Sequence, residues 1–564
     1  MKRQNNGWIY AGMIILILAA WHLLGVRDAA AATGDSWLVV WYLILAIVVL
    51  AGVIGTGFLL GKRPEDVSAF QKKVLKLEQI YPILGLFLGI LYLLVLPPLS
   101  APDEISHYIS AYQLSSRMMG QEANYETGHV LVRAEDLLLE DIHGNGTFEV
   151  DEQGIWIVQP ETEQSSQRIP LGQTLVEESY RTIYETVLLG KPHALEQRFP
   201  EQDLKQQLAV SPYPPVVTTP LAYVPQAIGI TIARLLDMGS IWLAYLGRLC
   251  NLLFFVTMTT LAMKRLPFGK EVLFGVAMLP MTLHLSASFS YDVMIMACLF
   301  YFTALCLDLA YRKEKVGLLD VVTAMVLMAI AGPCKMVYAP LMGLCLLIPV
   351  KKFGGWQRWG ISAAAVVGSW AAAMLLVNRQ TIVSYATVTE QVVPWAEEAG
   401  YSLTYALHNP IRTLKIFYET VLLQADHYHL TMIGSKLGNL DEILNVPYLV
   451  VLLLTGCLIM LMLRKPGENL VLVKGRRLWI MAVCALCVGV TMLSMLIAWT
   501  PLSSSVILGV QGRYFLPFLP VFLMACKNDA VVLTKNRNRS ILYLMFCVNG
   551  YVLLRLFSTV SMRL

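Results

Sequence analysis

The sequence predicts an all-α polytopic membrane protein with about thirteen transmembrane helices and a large outer loop of mixed helix and strand. Three observations support this class. Of the 564 residues, 56% are hydrophobic and 15% are charged, whereas soluble domains carry about 25% charged residues. Apolar stretches of roughly 17–25 residues, long enough to cross a bilayer, recur along the chain. The connectors between them are alternately rich in lysine and arginine, as cytoplasmic loops usually are.

Thirteen of these apolar segments are predicted to cross the membrane. They cover residues 8–25, 36–60, 79–97, 241–263, 271–288, 291–310, 316–332, 337–350, 360–377, 447–463, 478–498, 506–525 and 540–558. The basic connectors that fall on one side of the membrane, together with the N-terminus, are 62–78, 264–270, 311–315, 351–359, 464–477 and 527–539. The positive-inside rule therefore predicts a cytoplasmic N-terminus, with the large loop and the C-terminus outside the cytoplasm.

The predicted organisation follows from these spans. The chain divides into two N-terminal helices with a basic loop (1–78), a third span with an acidic outer loop and interfacial helices (79–240), central transmembrane helices (241–377), a second outer loop (378–446) and C-terminal transmembrane helices (447–564). The first segment also resembles a signal peptide, because Lys2 and Arg3 precede its apolar run. Arg27 and Asp28 interrupt the approach to the alanines that follow, which favours an uncleaved anchor.

Residues 216–236 are apolar enough to form a further span, but we predict that they lie at the outer surface of the membrane. The segment contains Pro220 and Pro225 and ends close to Arg234. A crossing here would move the basic connector 264–270 to the outer side and reverse every later loop. The positive-inside rule therefore favours an interfacial or re-entrant segment.

The first outer loop, 98–240, carries about 20 acidic against about 8 basic residues, the reverse of the basic connectors. Within it, 147–158 is predicted to form a small hairpin around Gly154. Residues 104–119 and 194–209 are predicted to form short helices. The loop contains no cysteine, so disulfides do not hold it together.

A polar cluster is predicted where the third span reaches the outer side. Pro102 is a suitable first residue for a helix, which would place Asp103, Glu104 and His107 in its first turns. Two carboxylates and an imidazole at a membrane boundary could deprotonate a hydroxyl group, or hold a divalent cation such as magnesium or manganese. The same residues also fit an acidic first turn that stabilises the helix dipole. Their spacing alone leaves both interpretations open.

Other polar side chains are predicted near the outer ends of later spans. Arg248 lies in the fourth span, Asp292 begins the sixth, Lys335 follows the seventh, and Arg513 and Tyr514 lie near the start of the twelfth. Ionisable groups inside membrane segments are costly and usually functional. Convergence of Arg248, Lys335 and Arg513 would suit a phosphate or pyrophosphate group. For each single cation, snorkelling to lipid head groups is the alternative.

Several short motifs follow one another across residues 97–525. They are Pro102-Asp103-Glu104 with His107, and residues 223–230, 246–249, 288–292 and 509–517. Together they resemble the bacterial membrane-protein family called domain of unknown function 2142, and the motif at 509–517 is the most specific.

That family in turn resembles the GT-C glycosyltransferase superfamily. Members of the GT-C superfamily have many spans and an acidic residue in the first large outer loop, and they use polyprenyl-phosphate sugars as donors. The resemblance implies a GT-C-like helical bundle in which Asp103 is the catalytic base or a metal ligand, with Glu104 beside it. It also implies that Arg513 holds the donor phosphate. Two extra spans precede the acidic loop here, where typical members have one.

The expected function is transfer of a sugar from a polyprenyl-phosphate donor to a cell-envelope glycan or lipid acceptor on the outer face of the cell membrane. The expected partners are the bilayer, the donor and the acceptor, and the net charge of +4 is too small to suggest a nucleic acid. The alternatives are a transporter or flippase of a lipid-linked glycan, and a non-catalytic envelope-assembly protein. Transporters more often show inverted repeats and charged, broken helices in mid-membrane. We find no internal repeat, and the polar groups cluster toward one face.

Overall fold

The computed structural model describes residues 7–34, 36–61, 75–96, 98–139, 147–159, 203–387, 391–438, 444–468 and 472–561. Their α-helices are α1 (Gly7–Thr33), α2 (Trp37–Gly61), α3 (Leu77–Val95), α4 (Glu104–Met118), α5 (Val224–Leu235), α6 (Ser240–Arg265), α7 (Lys270–Ala277), α8 (Pro280–Ser286), α9 (Asp292–Tyr311), α10 (Leu318–Cys334), α11 (Trp356–Thr387), α12 (Leu403–His408), α13 (Pro410–Ile433), α14 (Tyr448–Met462), α15 (Lys474–Trp499), α16 (Leu519–Cys526) and α17 (Asn538–Ser561). Short 3₁₀ helices lie at Ala134–Leu139, Pro220–Tyr223, Met336–Leu347, Val350–Phe353 and Gly512–Phe515. The strands are β1 (Leu131–Arg133), β2 (Thr147–Val150), β3 (Trp156–Gln159), β4 (Leu208–Val210), β5 (Gln391–Val393) and β6 (Glu398–Gly400).

The predicted class, a helical membrane protein, is confirmed. Within the described ranges, 8 helices are long and apolar enough to cross a membrane, namely α1, α2, α3, α6, α9, α11, α15 and α17. Each coincides with a predicted span. The remaining predicted spans correspond to shorter or interrupted helices: α10, the 3₁₀ helix Met336–Leu347 and α14 are apolar but short, and the segments 271–288 and 506–525 are interrupted.

The predicted span 271–288 is broken between α7 and α8. Leu279 is extended, with φ −66° and ψ 143°, because Pro280 disfavours the helical conformation in the residue before it. The break frees backbone groups that water cannot reach within a bilayer. Asn549 of α17 compensates by donating a hydrogen bond to Met278 O at 2.9 Å.

The segment 216–236 forms a 3₁₀ turn followed by α5. The 12 residues of α5 extend about 18 Å, which is shorter than the roughly 30 Å hydrocarbon core of a bilayer. α5 packs so closely on α6 that an added Cβ at Gly229 would lie 2.7 Å from Gly247 N. The charges of the loops predicted that this segment does not cross the membrane, and α5 is indeed too short to be one of the long helices.

The acidic loop contains a 4-stranded sheet of order β1-β4-β3-β2. The predicted hairpin is confirmed, because β2 and β3 pair antiparallel and Gly154 in their turn has a φ of 79°. The predicted helix at 104–119 is confirmed as α4. The predicted helix at 194–209 is wrong in its described part, because 208–210 form β4, whose pairing with β1 and β3 outweighs local helix propensity. Residues 194–202 lie outside the described ranges.

The predicted second outer loop, 378–446, contains regular structure. α11 extends to Thr387, ten residues beyond the predicted end of its span at 377. The hairpin β5–β6 and the helices α12 and α13 follow. α13 packs against the 3₁₀ turn Gly512–Phe515 and so supports part of the candidate site.

The two ends of the described chain pack together. Tyr543 of α17 donates a hydrogen bond to Val53 O of α2 at 3.2 Å, and Ser558 of α17 donates to His22 O of α1 at 3.1 Å. The N-terminal pair of helices therefore rests on the last helix.

Candidate functional site

A tight turn carries the chain from α3 to α4. Leu99 and Asp103 in this turn have positive φ angles of 64° and 57°, which are uncommon for residues other than glycine. Positions of this kind cluster at functional sites. Asp103 immediately precedes α4, and its side chain is 67% exposed. The turn therefore presents this carboxylate where another molecule can reach it.

Glu104, the next residue, has the opposite environment. Its side chain is fully buried and accepts hydrogen bonds from the N–H groups of Ala101 (2.8 Å) and Phe289 (2.9 Å). Arg248 Nε lies 3.4 Å from Glu104 Oε1. Burial raises the pKa of Glu104, and the Arg248 charge and the backbone N–H groups oppose this shift. Glu104 therefore anchors the turn. The sequence had suggested that Asp103 and Glu104 act as a pair of carboxylates, but only Asp103 is exposed.

Arg248 is also fully buried. Its Nε donates to Ala287 O (2.7 Å), its Nη1 to Leu93 O (3.3 Å) and its Nη2 to Leu96 O (2.7 Å). Each nitrogen already has a protein acceptor, so this guanidinium joins α3, α6 and α8 and is unsuited to a donor phosphate. Among the described residues, Arg248 forms its ion pair with Glu104, whereas Lys335 and Arg513 pair with other carboxylates.

The other predicted charges form one continuous group, which we call the charged cluster: Asp103, Asp292, Lys335 and Arg513. Lys335 Nζ lies 2.6 Å from Asp292 Oδ1, and Arg513 Nε lies 3.7 Å from Asp292 Oδ2. Arg513 Nη2 lies 3.4 Å from Asp103 Oδ2. The Arg513 and Asp292 side chains are only 4% and 11% exposed, so their charges need the partners they have. The cluster therefore runs from an exposed carboxylate into the protein.

Aromatic rings surround Lys335 in this cluster. Its Nζ lies 4.2 Å from the centroid of the Tyr514 ring and 5.2 Å from that of Tyr291, distances at which a ring face attracts an ammonium group. Tyr338 donates its hydroxyl to Tyr514 O at 2.9 Å. Tyr514 therefore lies where it was predicted, and its ring helps to position Lys335.

His107 is buried beside the charged cluster. Its Nδ1 lies 2.7 Å from Tyr223 Oη, and its ring centroid lies 4.7 Å from that of Tyr291. Burial lowers the pKa of His107 to about 4, although Asp292 and Asp103 act in the opposite direction. The imidazole is therefore neutral near pH 7, and it orients Tyr223 from inside the protein.

Arg513 retains unused hydrogen-bonding capacity. Its Nε and Nη1 are buried and have no hydrogen-bond partner among the described residues. Asp292 Oδ2 is too far from Nε, at 3.7 Å, to accept a hydrogen bond. Leaving a buried donor unpaired costs roughly 1–3 kcal/mol, and more for a charged group. Nε and Nη1 lie on different edges of the guanidinium, so an anion would pair one of them together with Nη2, which now faces Asp103 at 3.4 Å.

Gly512 determines where Arg513 lies. A Cβ atom at this position would overlap Tyr428 O and lie 2.5 Å from Met432 N, so glycine alone fits. The Gly512 N–H donates to Thr431 Oγ1 at 2.8 Å. α13 therefore forms the surface on which the Arg513 turn rests.

Three tyrosines of the site, Tyr223, Tyr291 and Tyr338, were not predicted as site residues. The first two fall within motifs that carried the family resemblance. Aromatic residues are common at the ends of membrane spans, so their type and position gave no signal of a role.

The carboxylates do not form a metal site. Within the described ranges, no group of three or more histidine, cysteine, aspartate or glutamate side chains could hold a metal ion. Asp103 and Asp292 each face a cation, and Glu104 is buried against Arg248. The cation site predicted from Asp103 and Glu104 therefore lacks a suitable set of ligands.

The apolar helices and the charged cluster at their ends define a multi-pass membrane protein with a polar site at the start of its first large loop. The chain belongs to the family described as predicted membrane protein (DUF2142), whose model matches residues 86–522. The resemblance read from the motifs is thereby confirmed. The matched region begins in α3 and ends in α16, so it contains the charged cluster but not α1, α2 or α17. No curated protein and no solved structure matched the chain.

Proposed function

We propose that this protein is a GT-C-like glycosyltransferase, with about thirteen membrane crossings, that moves a sugar from a polyprenyl-phosphate donor to a hydroxyl group of a cell-envelope glycan or lipid. The observation that carries the proposal is the pairing of an exposed carboxylate, Asp103, with a buried guanidinium, Arg513, that has unpaired donors. Such a transfer needs a base for the acceptor and a cation for the phosphate.

Arg513 and Lys335 are the proposed ligands of the donor phosphate. A guanidinium can bind two phosphate oxygens in parallel through Nη2 and either Nε or Nη1. Nε and Nη1 of Arg513 have no hydrogen-bond partner among the described residues, and Nη2 becomes available when its 3.4 Å ion pair with Asp103 opens. Lys335 adds a second positive charge, held in place by Asp292 at 2.6 Å and by the Tyr514 ring. Asp292 keeps both cations together when no phosphate is bound.

Asp103 is the proposed base. It takes the proton of the acceptor hydroxyl as the hydroxyl oxygen bonds to the anomeric carbon of the sugar. The bond from that carbon to the phosphate oxygen breaks, and its electron pair stays on the polyprenyl phosphate. The leaving phosphate gains charge, which Arg513 and Lys335 stabilise more in the transition state than in the ground state. A phosphate that engages Arg513 also releases Asp103 from its 3.4 Å ion pair, which leaves this carboxylate free to contact the acceptor hydroxyl.

The proposed reaction takes place on the outer side of the membrane. Asp292 begins α9, and the far end of α9 leads into the basic connector 311–315. Lys335 follows α10, which begins on the side of the same connector. Because basic connectors remain in the cytoplasm, the charged cluster lies on the opposite side, with the N-terminus inside and the C-terminus outside.

The test uses the purified protein in lipid nanodiscs, with radiolabelled polyprenyl-phosphate sugars as donors and a total envelope glycolipid extract as acceptor. The measurement is release of polyprenyl phosphate together with a new glycosidic bond. We expect Asp103→Asn to lower the rate by about 100-fold or more. The control Glu122→Gln, which changes an exposed carboxylate of the same loop, should leave it unchanged.

Two results would contradict the proposal. Full turnover in Asp103→Asn would remove Asp103 from the mechanism. Movement of labelled lipid between leaflets without a new glycosidic bond would identify a flippase instead.

A further inference from the structure

An apolar cavity of about 260 Å³ lies between α9, α10, α11 and the 3₁₀ helix that follows α10. Leu309 of α9, Ala324 of α10 and Ala363 of α11 contribute to its lining. Leu346 and Val367, which also line it, are 55% and 49% exposed, so the cavity opens toward the lipid-facing surface. Apolar cavities exclude water and accept hydrocarbon.

The cavity lies at the other end of α9 and α10 from the charged cluster. Asp292 begins α9 and Lys335 follows α10, whereas the cavity touches Leu309 near the end of α9 and Val321 near the start of α10. The 20 residues of α9 extend about 30 Å, which is the thickness of the hydrocarbon core. The cavity and the charged cluster therefore belong to opposite halves of the membrane.

Basic residues border the cavity at the membrane surface. The connectors 311–317 and 349–358, which we call the basic rim, contain six basic residues and one acidic residue, Glu314. The two connectors are joined by a hydrogen bond from Val316 N–H to Lys352 O at 3.0 Å. Val316 also lines the cavity, so the rim is continuous with its wall.

Part of the positive charge on the rim is available to a ligand. Lys313 pairs with Asp320, a residue of the cavity wall, at 2.5 Å, and Lys352 donates hydrogen bonds to three backbone carbonyl groups. Arg312 pairs with Asp308 at 2.7 Å, yet its side chain remains 52% exposed. Lys351 and Arg358 are exposed and form no ion pair within the described ranges.

Two tryptophans mark the level of the lipid head groups beside the rim. Trp356 is 71% exposed, and its ring centroid lies 5.4 Å from that of Trp359, which lines the cavity. Tryptophan is enriched at the boundary between lipid tails and head groups. An acyl chain in the cavity would therefore have its head group at the rim.

We propose that this cavity binds one acyl chain of an anionic glycerophospholipid, whose phosphate lies against the basic rim. A zwitterionic lipid would fill the cavity equally well but leave the charge of the rim unmatched, whereas an anionic lipid matches both. The bound lipid joins α9, α10 and α11 in the half of the membrane away from the charged cluster. This site is separate from the proposed donor site and does not depend on it.

The first test uses the unmodified protein. Purified full-length protein in detergent is mixed with phosphatidylglycerol that carries a photoactivatable diazirine in one acyl chain, and the labelled peptides are mapped by mass spectrometry. Labelling should concentrate at 305–324 and 342–367 and be competed by unlabelled phosphatidylglycerol at about tenfold lower concentration than by phosphatidylcholine. Labelling spread evenly over the lipid-facing helices, or equal competition by the two lipids, would overturn the proposal.

The second test compares neighbouring positions on α11. Ala363→Phe places a ring in the cavity, whereas Ala364→Phe places it on the exposed side of the same helix. Labelling should fall at least about tenfold in Ala363→Phe and persist in Ala364→Phe, and equal labelling of the two would contradict the cavity assignment. If Ala363→Phe does not fold, the labelling map of the unmodified protein decides.

The third test addresses the head group. The double change Lys351→Gln and Arg358→Gln should remove the preference for phosphatidylglycerol while acyl labelling at 305–324 remains. A retained preference would show that the rim does not contact the phosphate.

Discussion

Replacing two adjacent carboxylates by their amides should separate the chemistry of this protein from its folding. Asp103 is 67% exposed and faces Arg513, whereas Glu104 is fully buried against Arg248. We expect Asp103→Asn to abolish sugar transfer in a stable protein, and Glu104→Gln to destabilise the protein itself.

The cost of Glu104→Gln follows from the contacts of this side chain. Removing one partner of a buried ion pair typically costs about 3–5 kcal/mol. The amide group also cannot accept from both Ala101 N–H and Phe289 N–H, as the carboxylate does. Arg248 keeps its three carbonyl acceptors, so we take the lower value, about 3 kcal/mol. At about 2–4 °C per kcal/mol, the unfolding temperature should fall by roughly 6–12 °C.

Asp103→Asn should have little effect on stability. The ion pair that it removes has an exposed partner and contributes about 0–1 kcal/mol. Asparagine is also one of the few residues that tolerate a positive φ, such as the 57° at this position. The unfolding temperature should therefore change by no more than about 4 °C.

The assay measures unfolding temperature and sugar transfer on the same purified samples. Temperature-dependent loss of the monodisperse protein in detergent reports stability, and release of polyprenyl phosphate reports turnover. The reasoning fails if Glu104→Gln is as stable as the wild type but inactive, because Glu104 would then take part in the chemistry. It also fails if Asp103→Asn loses as much stability as Glu104→Gln.

Three further changes test the site. Arg513→Lys should raise the KM for the donor about tenfold or more, because an ammonium group cannot replace a guanidinium that binds two oxygens; an unchanged KM would contradict its phosphate role. Gly512→Ala should lower turnover at least about tenfold because the added methyl group overlaps α13, whereas Gly456→Ala, where an added Cβ has no neighbour within 4 Å, should behave like the wild type. The pKa of His107 is lowered from 6.5 to about 4, so between these pH values the unfolded chain takes up a proton that the folded protein does not. The unfolding temperature should therefore fall as pH decreases from 6.5 to 4, and His107→Gln should make that fall smaller; an identical pH profile in the variant would show that His107 is not its source.

The sequence could predict which charged residues share one end of the helices, because alternating basic connectors assign a side to every span. Asp103, Asp292, Lys335 and Arg513 were placed together on this basis, and the structure brings all four into contact. Side assignment depends only on the order of the spans and the charge of their connectors, so no knowledge of packing was needed.

The direction of each side chain could not be predicted in the same way. Asp103 lies in the turn before α4 with a φ of 57°, whereas Glu104 is the first helical residue, so the two neighbours reach opposite environments. Arg248 lies in a motif and in a membrane segment, two features that also suit a ligand-binding cation. Its actual role depends on three carbonyl groups from distant parts of the chain.

Hydropathy likewise could not distinguish continuous helices from interrupted ones. The segment 271–288 is as apolar as its neighbours, and its single internal proline, Pro280, also occurs in helices that merely bend. The compensating hydrogen bond comes from Asn549, which lies about 270 positions further along the chain. No local pattern contains that information.

This hydrogen bond also links the region that the family model matches to a helix outside that region. Asn549 belongs to α17, beyond residue 522 where the matched region ends. Its side chain nevertheless donates a hydrogen bond to Met278 O and accepts one from the Tyr92 hydroxyl, and both partners lie within the matched region. A chain shortened to the matched residues would leave a backbone carbonyl unbonded in hydrocarbon, which costs several kcal/mol. The region that the family model matches is therefore smaller than the part of the chain that packs as one folded unit. Expression of the matched region alone should therefore give an unstable protein, because the contacts of α17 are missing.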